Sequence, residues 1–375
     1  MQRTYGFISA DDHVQEHPEV WQQRMSRARW GDRIPHLVDG EDGCQVWVVD
    51  GQRVPLVGPA NVGALLADRG AHPRRWDEVP AAAYDPQARL KAMDADGVDV
   101  SVLYPTVSGL AGETLGCITD PELELACVQA YNDYLIDEWA AASDRFVPQC
   151  IVPIGPVGTT VAEIQRSVAR GHRGVVYPAI PMHTRDLPHV NEPEYDAIWA
   201  TCQELGVPLC LHAGFSSKVQ LPVFEGLSPK LADALQALTR PAASVFAVTN
   251  MLLSRILMRF PGLQVIFGES ALGWGPFLLE YADHQFEQDH VYLEGYDLKP
   301  SELFKRQCYL TGWYDPVGVH ARYIPPERIL WTTNFPTATS TWPTSQTFIN
   351  EAMAGVDSEA RNLILWGNAA RLYRL

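Results

Sequence analysis

Cysteine is sparse and scattered in this chain of 375 residues. None of the seven cysteines forms a Cys-x-x-Cys pair, and several lie inside apolar runs. Such residues are typical of buried free thiols in a reducing compartment, so we expect a cytoplasmic protein. No basic segment followed by an apolar stretch opens the sequence, and no apolar run approaches the ~20 residues that a membrane span needs. We therefore expect neither a signal peptide nor a membrane segment.

Basic residues are also few in comparison with acidic ones. Lysine and arginine number 29 against 45 acidic residues, which leaves a formal net charge of −16. That balance disfavours nucleic acid and anionic membrane surfaces as partners. It leaves room for a small anionic substrate, because a bound metal ion or an arginine reverses the field locally. The expected partner is thus a small molecule.

Two common active-site motifs are missing. No Gly-x-Ser-x-Gly elbow is present, so a serine hydrolase is not indicated. No Gly-x-Gly-x-x-Gly follows the first apolar run, which argues against an open, doubly wound sheet. The composition, 46% hydrophobic and 20% charged, is that of a globular protein with a large core.

The first apolar run, 5–10, ends in a cluster of acids and imidazoles. Asp11 and His13 are two residues apart, so on a strand both side chains point to the same face. A carboxylate beside an imidazole suits a divalent metal such as zinc or manganese. A turn capped by Asp11 or Asp12 is the simpler interpretation, and the stretch alone does not decide between the two.

Apolar runs alternate with helical patterns along most of the chain. This alternation predicts a parallel sheet, and eight such units predict a (β/α)8 TIM barrel, an α/β fold, in one domain over 1–375. Residues 37–80 break the pattern with a β-hairpin turning at Asp50-Gly51 and a long Gly/Pro/Arg-rich loop, which indicates an insertion between strands 1 and 2. The expected barrel strands are 7–10, 100–104, 147–152, 174–177, 208–212, 264–268, 308–311 and 329–333.

Polar residues follow four of these strands. His13, His212, Glu269 and Asn334 come at the ends of the first, fifth, sixth and eighth. The carboxyl ends of barrel strands form the active-site face, so these four side chains are expected to lie together. A histidine at a strand end is alternatively structural, and Glu269 is alternatively a cap of the next helix.

With these segments in place, the chain resembles the amidohydrolase-related (amidohydrolase-2) family of metal-dependent hydrolases and decarboxylases. That family includes aminocarboxymuconate semialdehyde, γ-resorcylate and 5-carboxyvanillate decarboxylases. The resemblance extends over nearly the whole chain. The segments that carry it are 11–16, 93–106, 131–133, 206–214, 260–270, 334–336 and 340–343.

The resemblance implies a role for each site residue. Asp11, His13 and His212 would bind the metal, and Glu269 would act as a general acid or base or polarise a metal-bound water. Glu16, three residues past His13, would be a further ligand or would orient one. One divalent metal is implied, with zinc as the first choice and manganese as the alternative. Relatives often form homodimers, and the tryptophan-bearing insertion is the expected interface.

Asn334 departs from the family pattern. The family ends strand eight in an Asp-Phe-Pro-His-like motif whose acid binds metal and moves a proton, whereas this chain has Asn334 and Thr337 at the Asp and His positions. An amide is no general base and is a weak zinc ligand, although its carbonyl can bind a hard cation. Three interpretations stay open. Asn334 belongs to a subfamily that uses Glu269 as its proton shuttle, or it is an engineered inactivating change, or metal and catalysis have been lost.

The sequence therefore predicts a metal-dependent enzyme that acts on a small cyclic or aromatic carboxylate or carbonyl compound, by non-oxidative decarboxylation or by hydrolysis. The competing hypothesis is a non-catalytic small-molecule-binding barrel, because the usual strand-eight acid is replaced. The expected metal ligands are Asp11, His13, Glu16, His212 and Asn334. The expected catalytic residues are Glu269, His212 and Asn334.

Overall fold

The computed structural model describes residues 5–54, 56, 58–212 and 226–375. Residues 55 and 57 of the predicted hairpin and loop, and the last two residues of segment 206–214, lie outside this part of the chain. Within the described ranges, no helix is both long enough and apolar enough to cross a membrane.

Parallel strands form the centre of the molecule. Each of the eight predicted strands corresponds to an observed one, and the third is divided in two at Gln149. The described strands are, in chain order, β1 (Ile8–His13), β2 (His36–Asp39), β3 (Gln45–Val49), β4 (Gln52–Arg53), β5 (Val100–Tyr104), β6 (Phe146–Pro148), β7 (Cys150–Ile151), β8 (Val175–Pro178), β9 (Leu209–His212), β10 (Val265–Gly268), β11 (Cys308–Gly312) and β12 (Ile329–Trp331).

The parallel strands pair in the order in which the chain makes them. One sheet has the order β1-β5-β6 and the other runs from β7 to β12 without a change of neighbour. Two residues past the end of β12, the backbone N–H of Thr333 donates a hydrogen bond to Ser9 Oγ of β1 at 2.8 Å. The carboxyl ends of β1, β9 and β10 are therefore brought to one side of the molecule.

Helices follow the strands and their limits obey local chemistry. Asp85 caps the helix that begins at Pro86 by accepting a hydrogen bond from the N–H of Ala88, and Gly97 ends that helix with a φ of +74°. The described α-helices are α1 (Glu19–Arg24), α2 (Arg27–Trp30), α3 (Pro86–Asp96), α4 (Glu113–Gly116), α5 (Pro121–Tyr134), α6 (Val157–Arg170), α7 (Asp196–Leu205), α8 (Pro229–Thr239), α9 (Ala242–Leu253), α10 (Ile256–Arg259), α11 (Gly275–Gln288), α12 (Pro300–Gln307), α13 (Val317–His320), α14 (Ser345–Ala352), α15 (Ser358–Asn362) and α16 (Asn368–Tyr373).

The segment between β1 and β5 carries a small antiparallel sheet of its own, in the order β2-β3-β4. Val49 pairs with Gln52 across a turn whose two residues, Asp50 and Gly51, both have positive φ. Further along, Ala64 N–H donates to the carbonyl of Pro336 at 3.1 Å, so the segment packs on the loop that follows β12. Its Trp47 is fully buried, which leaves that side chain in the core and not on a dimer surface.

Candidate metal centre

An irregularity in β1 places the first two residues of the site. Ser9 pairs with Ser101 and Asp12 pairs with Leu103, so three steps on β1 match two steps on β5. This extra residue makes a bulge, and bulges redirect side chains and recur next to active sites. Both Asp11 and His13 are completely buried at the end of the strand.

Asp11, His13 and His212 form one compact group of potential ligands. One ligand atom from each lies within 4.8 Å of the other two, and all three residues are buried. His13 Nε2 is 3.6 Å from Asp11 Oδ1, and His212 Nε2 is 3.5 Å from Asp11 Oδ2. A carboxylate that bridges two imidazoles in this way offers the nitrogen and oxygen donors that zinc and manganese accept.

The pKa values of the two imidazoles shift in opposite directions. Burial lowers the pKa of His13 and outweighs the carboxylate of Asp11, so His13 is neutral near pH 7. Its Nδ1 lies 2.8 Å from the carbonyl oxygen of Pro105, to which a neutral ring donates, and this leaves Nε2 as the lone-pair nitrogen. Burial also opposes the charged form of His212, but there the field of Asp11 prevails and raises the pKa.

Gly268 makes room for this group at the end of β10. A Cβ atom at this position would lie 2.7 Å from Cδ2 of His212 and 3.0 Å from Oδ2 of Asp11. Real Cβ atoms do not approach ring carbons so closely, and both neighbours are fixed by their own contacts. The strand therefore needs glycine here for the two ligands to come together.

Glu269 follows that glycine and adds a second buried carboxylate beside the group. Its φ is +52°, and its backbone N–H donates to Asp11 Oδ2 at 2.9 Å. Its side-chain Oε1 accepts hydrogen bonds from Arg240 Nη1 and Asn334 Nδ2, each at 2.8 Å. Burial alone would raise the pKa of Glu269, but the charge of Arg240, the two neighbouring imidazoles and the hydrogen bond from Asn334 lower it to about 2. Glu269 is therefore a carboxylate at neutral pH.

Asn334 lies just past β12, with a φ of +54° that asparagine tolerates better than most residues. Its Nδ2 donates to Glu269 Oε1 and, at 2.9 Å, to Thr339 Oγ1. The carbonyl Oδ1 has no hydrogen-bond partner among the described residues. The amide thus connects the acid after strand six to the loop after strand eight.

Glu16, predicted as a ligand, is not part of the group. Its carboxylate accepts hydrogen bonds from the backbone N–H groups of Thr106, Val107 and Ser108 and from Ser108 Oγ, at 2.8–3.4 Å. These donors satisfy both oxygens. The carboxylate of Glu16 therefore holds the loop after β5 and does not belong to the group of Asp11, His13 and His212.

Asp12 has a larger structural role than its sequence position suggests. Its carboxylate accepts hydrogen bonds from the hydroxyls of Ser9, Ser101 and Thr333 at 2.6–2.7 Å and from the N–H of Phe335 at 3.1 Å. It joins β1, β5 and the segment that follows β12. Nothing in its immediate sequence indicates these contacts, which come from residues as distant as 333.

The donor set fits a divalent cation. Among the described residues, four buried side-chain atoms around the site have no hydrogen-bond partner: Asp11 Oδ1, His13 Nε2, Glu269 Oε2 and Asn334 Oδ1. Leaving such atoms unsatisfied is costly, and each is an atom that a hard or borderline metal ion accepts. The residues that would hold the ion are Asp11, His13 and His212, with the oxygens of Glu269 and Asn334 beside them.

Comparison with known proteins agrees with this description. The amidohydrolase family matches residues 49–375, which includes His212, Glu269 and Asn334 but leaves out Asp11 and His13. A γ-resorcylate decarboxylase of Rhizobium radiobacter is 26% identical over 216 residues, which are 56% of this chain and 63% of that protein. The matched part thus spans less than two thirds of that curated relative.

Solved structures match over nearly the whole chain. An amidohydrolase from Mycobacterium avium subsp. paratuberculosis K-10 has a TM-score of 0.76 at 20% identity, covering 99% of this chain and all of the other. A dihydroxybenzoic acid decarboxylase from Polaromonas sp. JS666, with bound manganese and an inhibitor, has a TM-score of 0.65 at 18% identity, covering 99% and 98%. These likenesses show the fold, the α/β TIM-barrel type that the sequence predicts.

Proposed function

We propose, from the premise that the chain belongs to the amidohydrolase family, that it is a metal-dependent carboxy-lyase for a small aromatic or cyclic carboxylate. The observation that carries the proposal is the buried group of Asp11, His13 and His212, with the carboxylate of Glu269 beside it. A binding protein without catalysis has no need for two buried acids and two buried imidazoles in contact, because such groups are costly to desolvate. The names of the relatives favour decarboxylation over hydrolysis.

Each residue has a defined part in this function. Asp11, His13 and His212 would hold the ion, and Asn334 donates a hydrogen bond to the carboxylate of Glu269. A bound divalent ion would supply Lewis-acid polarisation of the substrate's oxygens. In the overall reaction the bond between the ring carbon and the carboxylate breaks, carbon dioxide leaves, and the ring carbon gains a proton. Glu269, a buried carboxylate whose backbone N–H donates to Asp11, is the residue we assign to proton handling.

Several finer properties belong to the same proposal. We take the barrel to be closed between β12 and β1 and the whole of 1–375 to act as one domain. Zinc is our first choice of metal and manganese, found in the Polaromonas relative, the second. The seven free cysteines support a cytoplasmic location.

A homodimer is also part of the proposal. Large apolar side chains are exposed on the helices after strands five and six. Leu238 on α8 is 82% exposed, Phe246 on α9 58% and Phe277 on α11 67%. Exposed apolar residues grouped on neighbouring helices mark association surfaces. Sedimentation velocity of the purified protein and of a Phe246→Glu, Phe277→Glu double variant tests this: a dimer that becomes a monomer supports it, and a monomeric parent protein contradicts it.

The test of the function begins with metal content. The purified protein is analysed by elemental mass spectrometry and then loaded with Mn²⁺ or Zn²⁺. The loaded protein is offered a panel of hydroxybenzoates, with carbon dioxide release as the readout, and a parallel panel of esters and lactones for hydrolysis. We expect about one ion per chain and release from at least one hydroxylated benzoate.

The variants decide whether the site is responsible. His13→Ala and His212→Ala are expected to lose both the ion and the activity, whereas His284→Ala, at an exposed position on α11, keeps both. Hydrolysis without carbon dioxide release would contradict the carboxy-lyase activity and indicate a hydrolase that uses the same site. Metal-free protein that stays empty after loading would contradict the metalloenzyme and leave the binding barrel.

A further inference from the structure

Two donors from different parts of the chain converge on a single oxygen of Glu269. Arg240, the residue that follows α8, and Asn334, after β12, each donate to Oε1 at 2.8 Å. The other oxygen, Oε2, is buried and has no hydrogen-bond partner among the described residues. The side chain of Arg240 is 27% exposed, whereas that of Glu269 is 2% exposed, so the arginine approaches the acid from the solvent side.

The contact at residue 334 requires a donor. An ionised aspartate there would place a second carboxylate within hydrogen-bond distance of Glu269 and could not donate to Thr339 either. Two buried carboxylates this close cannot both remain charged, and one must take up a proton. The amide avoids that conflict, and its Nδ2 is occupied by both acceptors.

We propose that Arg240 and Asn334 are positioning residues that hold Oε1 of Glu269 and leave its Oε2 free, and that this arrangement depends on the amide of Asn334. The inference rests on the proposed function in so far as the free oxygen acts on a bound cation. The acid that the family pattern places after strand eight is, in this chain, supplied after strand six. Arg240 fixes one oxygen and leaves the other for the cation or for what the cation binds.

The first test is the affinity for Mn²⁺, measured by titration calorimetry and by electron paramagnetic resonance of the free ion. Glu269→Gln removes the charge and is expected to weaken binding about 10- to 100-fold, as loss of partners around a metal site does. Arg240→Met is expected to weaken it in the same direction, and Arg240→Lys to recover part of the loss. Arg259→Met, which breaks an ion pair with Asp196 on the outside of the barrel, is the matched control and should bind as the parent protein does.

Asn334→Asp gives the sharpest contrast. If the strand-eight acid has simply been lost, restoring it tightens Mn²⁺ binding. The inference would be overturned if Asn334→Asp raised the Mn²⁺ affinity about 10-fold or more and Glu269→Gln left that affinity unchanged. If the amide is required, the new acid shares a proton with Glu269, and affinity rises by no more than about threefold while the unfolding midpoint falls. The double variant Glu269→Gln, Asn334→Asp restores one acid and one amide in exchanged positions, and we expect it to recover stability relative to Asn334→Asp alone.

A second measurement tests, without the metal, the contact of Arg240 with Glu269, which we call the clamp. Urea unfolding in EDTA is compared for Arg240→Met, Glu269→Gln and the double variant. Strong coupling is expected, because Arg240→Met leaves the buried Glu269 carboxylate without its ion-pair partner, whereas the double variant has no carboxylate there. If the two substitutions have coupled effects on the unfolding midpoint but the parent protein binds no Mn²⁺, the metal function is contradicted and the clamp is supported. If their effects on the midpoint are additive, the clamp itself is contradicted.

Discussion

The glycine that ends β10 lies against two of the three residues of the metal centre. Gly268→Ala would force a Cβ to within 2.7 Å of the His212 ring, so the ring or the strand must move. We expect a loss of ~1–3 kcal/mol in the free energy of unfolding, and at least a tenfold loss of Mn²⁺ affinity because the ligands separate.

Gly273→Ala serves as the control for this substitution. The nearest atoms to a Cβ at that position belong to His320, at 3.8 and 3.9 Å, which is ordinary contact. Urea unfolding and Mn²⁺ titration should leave this variant close to the parent protein. Equal behaviour of the two variants would show that the space at Gly268 is not needed.

His172 predicts a pH dependence of stability that is independent of the site. It is buried, and burial lowers its pKa to about 4, while its Nε2 lies 3.0 Å from the carbonyl oxygen of Asn132. The unfolded chain has the ordinary value of about 6.5, so it binds a proton more readily than the folded protein between these limits. Stability from this residue is therefore complete above about pH 6.5 and is lost as the pH falls towards 4.

The size of this effect follows from the two pKa values. Lowering the pH from 7.5 to 5 should cost roughly 2 kcal/mol through His172. Urea unfolding in EDTA is measured at both pH values for the parent protein and for His172→Gln, which keeps a donor for Asn132. The variant should lose less stability on acidification by about that amount. An identical loss in both proteins would mean that His172 is not buried as the structure describes.

Sequence reasoning succeeded at the residue scale where chemistry and position coincide. Asp11, His13 and His212 were expected together because each ends a strand, and the structure brings them within one group. Arg240 was missed because it lies at the end of a helix and pairs with Glu269 only through the folded arrangement. Partners of this kind carry no spacing signal, since nothing local distinguishes this arginine from a solvated one.

At the scale of elements, the loop after β5 depends on a single acid. Three consecutive backbone N–H groups, those of residues 106–108, are satisfied by Glu16. Glu16→Gln replaces one acceptor oxygen with a donor facing those groups and should cost ~2 kcal/mol of stability. Because Glu16 lies outside the metal group, Mn²⁺ affinity should stay within a few-fold of the parent value. A loss of affinity without a loss of stability would restore Glu16 as a ligand.

The elements themselves were largely predictable. Barrel strands that are buried on both faces are continuous apolar runs, so their positions are visible without knowledge of their partners. The bulge in β1 was not visible, because it depends on the register with β5. The division of the third strand at Gln149 was missed for the same reason, since its residues pair with different neighbours on either side.

At the scale of the whole molecule, metal binding should be measurable as stability. A ligand that binds only the folded protein adds about 2.7 kcal/mol at a free concentration of 100 times its Kd. Adding Mn²⁺ at that excess should raise the urea midpoint of the parent protein accordingly. His212→Ala should show no such rise, and His284→Ala should show the full one. A rise of equal size in His212→Ala would place the ion elsewhere.

The hydrogen bond between Thr333, past β12, and Ser9 of β1 joins distant parts of the chain, and this has a consequence for how the protein is made. Asn334 follows Asp11 by 323 residues (334 minus 11), so the two ends of the site leave the ribosome far apart in time. At translation rates of ~5–20 residues per second the interval is roughly 16–65 s. During it, Asp11 and His13 wait without His212, Glu269 and β12. The ion that we propose for this site can therefore bind only at the end of synthesis, when all of its proposed ligands are present.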